Sequence, residues 1–210
     1  MNVPVLYEDN HLLLVTKPPN VPVQQDASKD IDMVTYLKQG LKERYQKPGN
    51  VFLGLVHRLD RPVGGVMVFA KTSKAASRLS NTIRKNEMEK IYLAVVRGVP
   101  AKNGTLKDFL WKDRHKNKTE VVSANKKGAK EAILTYEVIG TSENLSLVKI
   151  KLITGRSHQI RVQFASRGYP LYGDQKYGSD VNKPGQQIAL WAYQLIFPHP
   201  VRDEMVKTYS

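Results

Sequence analysis

Apolar residues recur along this chain in two rhythms, and each rhythm predicts an element. Over 132–139 and 145–153 apolar and polar residues alternate, and Gly140-Thr141-Ser142-Glu143-Asn144 between them is turn material. That pattern predicts a meander hairpin. Met33, Leu37, Leu41 and Tyr45 instead repeat every fourth residue, which predicts a helix over 31–45 capped by Asp30 or Asp32. Ala75, Ala76, Leu79 and Ile83 form the inner face of a second helix, running from a cap at Thr72 or Ser73 to about Asn86. Arg84, Lys85 and Lys90 gather around its end, where cations complement the helix dipole. With Ser157 as N-cap and Gly168 as stop, a third helix of about three turns is expected. It would put His158, Arg161 and Ala165 on one face.

Shorter apolar runs predict strands over 3–7, 12–16, 51–56, 66–70, 89–96 and 188–197, with a hairpin or two antiparallel strands over 105–122. Residues 21–25 read as extended. Lys17-Pro18-Pro19-Asn20 ends a strand with two prolines, Lys47-Pro48-Gly49-Asn50 is a loop, and 179–187 is a polar loop.

Charge narrows the choice of partner. The chain has 210 residues, enough for one domain with a real core, and carries 33 Lys and Arg against 19 Asp and Glu, a net charge of +14. A pI near 9.8 points to a polyanion, most simply nucleic acid. Part of this charge sits in Lys112-Asp113-Arg114-His115-Lys116-Asn117-Lys118 beside Trp111, and in Lys126-Lys127-Gly128-Ala129-Lys130. Such an arm suits phosphate contacts and equally suits a solvated loop. No apolar run is long enough to span a bilayer, and the N-terminus has no signal-peptide pattern. The absence of cysteine excludes disulfides, thiolate nucleophiles and cysteine-bound zinc, and is compatible with a reducing cytoplasm. Five histidines without an H-E-x-x-H pairing argue against a metal site. P-loop, G-x-G-x-x-G and G-x-S-x-G motifs are absent.

The candidate chemistry lies in His57-Arg58-Leu59-Asp60-Arg61-Pro62-Val63-Gly64-Gly65-Val66. One carboxylate, Asp60, stands between two arginines at a tight connection leading into an apolar strand. A positive field favours the ionised carboxylate. An aspartate between arginines is ordinarily a solvated ion pair, so this stretch alone assigns no reaction.

The wording of the stretch resembles the central H-R-L-D-R motif of the RluA family of RNA pseudouridine synthases. Leu13-Leu14-Val15-Thr16-Lys17-Pro18-Pro19 is similar to that family's first motif, and Lys90-Ile91-Tyr92-Leu93-Ala94-Val95-Val96 to its K-x-Y-x-A-x-V. Gly155-Arg156-Ser157-His158-Gln159-Ile160-Arg161-Val162-Gln163 resembles G-R-[ST]-H-Q-I-R-V-H, and Pro170-Leu171-Tyr172-Gly173-Asp174 through Gly178 resembles P-L-x-G-D-x-x-Y-G. The apolar strand closing the chain is similar to A-L-H-A-x-x-L-x-F-x-H-P. Three departures are visible: Val63 and Gly64 where the family usually has Thr-Ser, Gln163 for a histidine, and Trp191 for another.

The resemblance implies a single catalytic domain over 1–210 without a separate S4-type domain. Its fold would be α+β, with a central, largely antiparallel mixed sheet and flanking helices. It implies isomerisation of uridine to pseudouridine, which needs no cofactor because nothing is oxidised and no atom is lost. Asp60 would be the catalytic carboxylate, Arg161 would pair with it, and Tyr92 would pack on the target base. Whether Asp60 attacks C1′ or abstracts a ribose proton stays open. Arg58 would enter the RNA near a flipped nucleotide, since residues two apart on an extended segment point to the same side. Arg61, on the other side, would serve structure or phosphate contact. Lys17, Lys90, Arg156 and His158 complete the expected RNA contacts. The expected partner is ribosomal or transfer RNA, met by a cytoplasmic monomer. Two rivals are a non-catalytic RNA-binding module with the same fold and an enzyme of another class. Asp60, Tyr92 and Arg161 together argue against the first. A glycosidase normally uses two carboxylates, and only Asp60 lies in a strong motif.

Overall fold

A computed structural model describes residues 1–46 and 48–210. The loop expected at Lys47 therefore begins on a residue outside the described ones. In chain order the elements are β1 (Val5–Glu8), β2 (Leu12–Lys17), α1 (Met33–Arg44), β3 (Gly54–Leu55), β4 (Gly64–Ala70), α2 (Ser73–Arg84), β5 (Glu89–Arg97), β6 (Asn103–Asp113) and β7 (Lys118–Val122). Then follow β8 (Lys130–Ser142), β9 (Leu145–Leu152), α3 (Gln159–Ala165), β10 (Leu190–Pro198) and β11 (Met205–Tyr209). The chain divides into two compact units, Met1–Glu89 with Ala192–Ser210, and Lys90–Trp191.

In the first unit the strand order is β1-β2-β4-β10, with β3 on β4 and β11 on β10. The β1–β2, β2–β4, β3–β4 and β10–β11 pairs are antiparallel. Every residue of β4 is buried, as its unbroken apolar run requires of a strand covered on both faces. On one face, Leu12, Leu14, Val66, Val68 and Ala70 pack with Ala75 and Leu79 of α2 and with Leu195, Phe197 and Val206 from the end of the chain. Burying a leucine such as Leu79 contributes about 1.5–3 kcal/mol. Both helices begin at caps that the sequence predicts. Asp32 accepts from Thr35 N at 3.0 Å, and Thr72 accepts from Ala75 N at 3.2 Å.

The second unit is an antiparallel sheet in the order β5-β9-β8-β6-β7. Its hairpins fall where alternation predicts them, but the β8–β9 turn is tighter than expected. The strands run through Ser142 and from Leu145, leaving Glu143 at φ 52° and Asn144 to reverse the chain. At the basic tip of β6–β7, Asp113 Oδ1 accepts from His115 N and Lys116 N, so the loop is closed by its own carboxylate.

Three expectations need correction. The run 51–56 pairs only at Gly54 and Leu55, and residues 21–25 form no strand. The carbonyls of Pro22 and Val23 instead accept from Met33 N and Val34 N at the start of α1. The third helix starts at Gln159, because His158 takes the left-handed conformation at φ 54°. Gln159 Oε1 accepts from Arg156 N and Thr154 Oγ1, closing that turn itself, and the Ser157 hydroxyl faces Lys112 rather than capping.

Candidate functional site

In the first unit, Asp60 opens a four-residue turn in which its carbonyl accepts from Val63 N at 3.0 Å. The segment before it is tied to β4 by a ring: Val68 N donates to His57 Nε2 at 3.1 Å. The turn is held from beneath by Lys17, the last residue of β2, which has no exposed surface. Its ammonium donates to the carbonyls of Pro18 (2.9 Å), Arg61 (3.0 Å) and Val63 (2.7 Å). Burial lowers the Lys17 pKa to about 8; the negative charge of Asp60 opposes that shift and Arg61 adds to it. Lys17, expected among the RNA contacts, thus has no exposed surface and spends its ammonium on three backbone carbonyls.

The two arginines beside Asp60 differ. Arg58 is exposed. Arg61 is also exposed but occupied. It donates to Asn20 O at 3.2 Å, Ser28 Oγ at 2.9 Å and Asp30, and meets Asp26 at 3.5 Å. Its charge therefore fastens the 20–30 loop. Gly65 explains the glycine pair after the turn. It sits at φ 121°, and a Cβ there would lie 2.2 Å from Ala192 O.

In the second unit Tyr92 lies on β5, paired with Ile150 of β9, and is half-buried. Lys90, two residues before it, pairs with Leu152, and burial lowers its pKa. Arg161 on α3 is buried. Its Nε donates to Asp174 Oδ2 and its Nη2 to Oδ1, both at 2.8 Å. The guanidinium lies over the Tyr177 ring, 5.2 Å from the centroid. Tyr177 Oη accepts from Thr119 N at 2.8 Å and meets His158 Nδ1 at 2.6 Å. Burial is the main cause that raises the Tyr177 pKa. His158, expected among the RNA contacts, is buried, meets Tyr177 through Nδ1 and has a left-handed backbone. Arg156 is exposed, with its Nε donating to Glu131 O at 2.8 Å.

Asp174, Tyr177 and Asn182 received no role from the sequence. Asn182, in the stretch read as a polar loop, is buried; it accepts from Gly173 N and Arg97 Nε and donates to Leu171 O and Asp174 O. Gly173 is required there, since at φ 76° a Cβ would lie 2.1 Å from Gln187 O. The signal for Asp174 and Tyr177 was the block Gly173-Asp174-Gln175-Lys176-Tyr177-Gly178 itself, which places a carboxylate and a phenol on one glycine-bounded turn.

A model of the family described as RNA pseudouridylate synthase matches residues 11–166. The uncharacterized RNA pseudouridine synthase YhcT of Bacillus subtilis is 34% identical over 206 residues, covering 96% of this chain and 66% of that protein. Ribosomal large subunit pseudouridine synthase D of Haemophilus influenzae is 32% identical, covering 100% of this chain and 68% of that protein. The chain thus spans about two thirds of the length of these curated relatives. Among solved structures, human RNA pseudouridylate synthase domain containing 4 superposes with a TM-score of 0.82 over 99% of this chain and 87% of that one. At 24% identity this last likeness is one of fold.

Proposed function

The chain belongs to the RNA pseudouridylate synthase family, and we propose that residues 1–210 act as one catalytic domain that converts uridine to pseudouridine in a structured RNA, ribosomal or transfer. The observation that carries this reading is the turn at Asp60. Its carboxylate stands at the head of a segment pinned by His57 on one side and by the buried Lys17 ammonium on the other. Such anchoring suits a group that must meet a reacting carbon in one orientation.

In the reaction the bond from ribose C1′ to uracil N1 breaks, the base rotates, C5 bonds to C1′, and the proton on C5 moves to solvent while N1 gains one. Atoms balance without a cofactor. Asp60 acts at the ribose, as a nucleophile at C1′ or as the base that removes a ribose proton. Arg161 is the active-site arginine that the motif resemblance implies. Tyr92 packs on the base and relays the C5 proton. A stacked uridine exposes neither C1′ nor C5, so the nucleotide is flipped out, at a cost of a few kcal/mol. Arg58, whose guanidinium is exposed, fills the space the base leaves. The +14 charge supplies phosphate contacts that offset the cost.

The test is pseudouridine mapping of total RNA from cells with and without the gene, repeated with Asp60→Asn. Loss of one or a few pseudouridines on deletion, unrestored by a folded Asp60→Asn protein, is expected. Restoration by Asp60→Asn would end the mechanism.

A further inference from the structure

We propose that Asp174 and Tyr177 are positioning residues for Arg161, the carboxylate fixing the edge of its guanidinium and the phenol ring fixing its face. This rests on the reading that Arg161 is the active-site arginine. A guanidinium carries five N–H groups in one plane. The two parallel bonds to Asp174, each 2.8 Å, take two of them and so fix where the other three point. The Tyr177 ring at 5.2 Å removes the remaining freedom to tilt.

Both holders are themselves held. Asp174 is 1% exposed, and its Oδ1 also accepts from Lys176 N at 2.9 Å and Tyr177 N at 3.3 Å. Asn182 donates to the Asp174 carbonyl, and Gly173 lets the chain turn where a side chain would collide. Tyr177 is anchored through its hydroxyl. It accepts Thr119 N–H from β7 at 2.8 Å and meets His158 Nδ1 at 2.6 Å. His158 is the residue from which α3 begins, so one oxygen joins the start of the Arg161 helix to a strand of the basic hairpin. A buried ion pair adds little net stability over an apolar pair of the same volume. Its use here is geometric, a planar cation set to a fixed orientation.

The experiment is a double-mutant cycle on the full chain with Tyr177→Phe and Arg161→Lys. Total RNA from cells lacking the gene is the probe, and single-turnover conversion at the mapped site is read at saturating enzyme. Tyr177→Phe keeps the ring and loses only the anchor, and Arg161→Lys keeps the charge and loses the fork. Tyr177→Phe is expected to slow conversion about tenfold to a hundredfold, with RNA affinity little changed, as a displaced catalytic group does. The double variant should be no slower than Arg161→Lys. In RNA-free protein, the arginine Nε–H resonance that vanishes in Arg161→Lys should be sharp in wild type and broadened in Tyr177→Phe. Multiplying rate losses in the double variant, or an unbroadened resonance in Tyr177→Phe, would overturn the proposal. A slow Arg161→Lys beside a wild-type Tyr177→Phe overturns the positioning role alone. If Arg161→Lys itself converts at the wild-type rate, the catalytic reading of Arg161 fails and takes the proposal with it.

Discussion

Replacing Lys17 by methionine keeps the length of the side chain and deletes its charge and donors. The three carbonyls it serves, Pro18, Arg61 and Val63, lose their partner, at about 1–3 kcal/mol for each that stays dry. Against this, the variant no longer buries an ammonium. The fall of the Lys17 pKa to about 8 from 10.5 sets that burial cost at about 3 kcal/mol. The net expected at neutral pH is a loss of a few kcal/mol. The pH dependence is sharper. Between pH 8 and 10.5 the unfolded chain holds the Lys17 proton and the folded chain does not, so folded wild type gains stability as pH rises through that window. Methionine cannot titrate. The stability gap between wild type and Lys17→Met should therefore widen by about 2 kcal/mol from about pH 7 to about pH 9.5. Urea unfolding of both proteins at each pH gives the gap directly and cancels other titrating groups. A gap that stays constant would refute the buried-ammonium reasoning. Because Lys17 holds the turn that carries Asp60, conversion of RNA should also slow in the variant while it remains folded.

Other outcomes follow from the same geometry. Gly65→Ala should unfold the protein or cost more than about 3 kcal/mol by thermal melting, since its Cβ meets the Ala192 backbone at 2.2 Å. Arg58→Ala should slow single-turnover conversion of a structured RNA more than of a short unstructured one containing the same uridine; equal losses would remove the flipping role. Lys116→Glu with Lys118→Glu should weaken RNA binding and flatten its salt dependence, the slope falling by about 1 for each phosphate no longer neutralised. An unchanged slope would make the hairpin tip a solvated loop.

The parts of the fold legible in the sequence are those written by local chemistry. Asp32 and Thr72 cap their helices because a short polar side chain three residues before a free N–H can hardly do otherwise. The buried β4 follows from its unbroken apolar run, and the second unit's hairpins follow from alternation. Ser157 misled because it has the right chemistry for a cap, yet Gln159 closes the same turn with a longer arm and His158 changes the backbone. The short β11 carries too little alternation to announce itself. Asp60 and Arg161 lie in motifs, whereas the residues that hold them do not. Lys17 reads as a strand end beside prolines, and its burial is decided by carbonyls 44 and 46 residues away. Tyr177 is fixed by Thr119, 58 residues earlier. No local rule encodes a partner at such distance.

The discontinuity of the first unit bears on the order in which a ribosome delivers it. Leu12, Leu14, Val66 and Val68 leave the ribosome early, but Leu195, Phe197 and Val206, which pack with them, come only after the whole of Lys90–Trp191. At 5–20 residues per second, about a hundred intervening residues leave that apolar surface without its cover for roughly 5–20 s. The second unit has all of its own strands within one continuous stretch and is free of this delay. During synthesis the nascent first unit is therefore the natural client for a chaperone, and slowing translation between the two segments should raise aggregation of the full-length product.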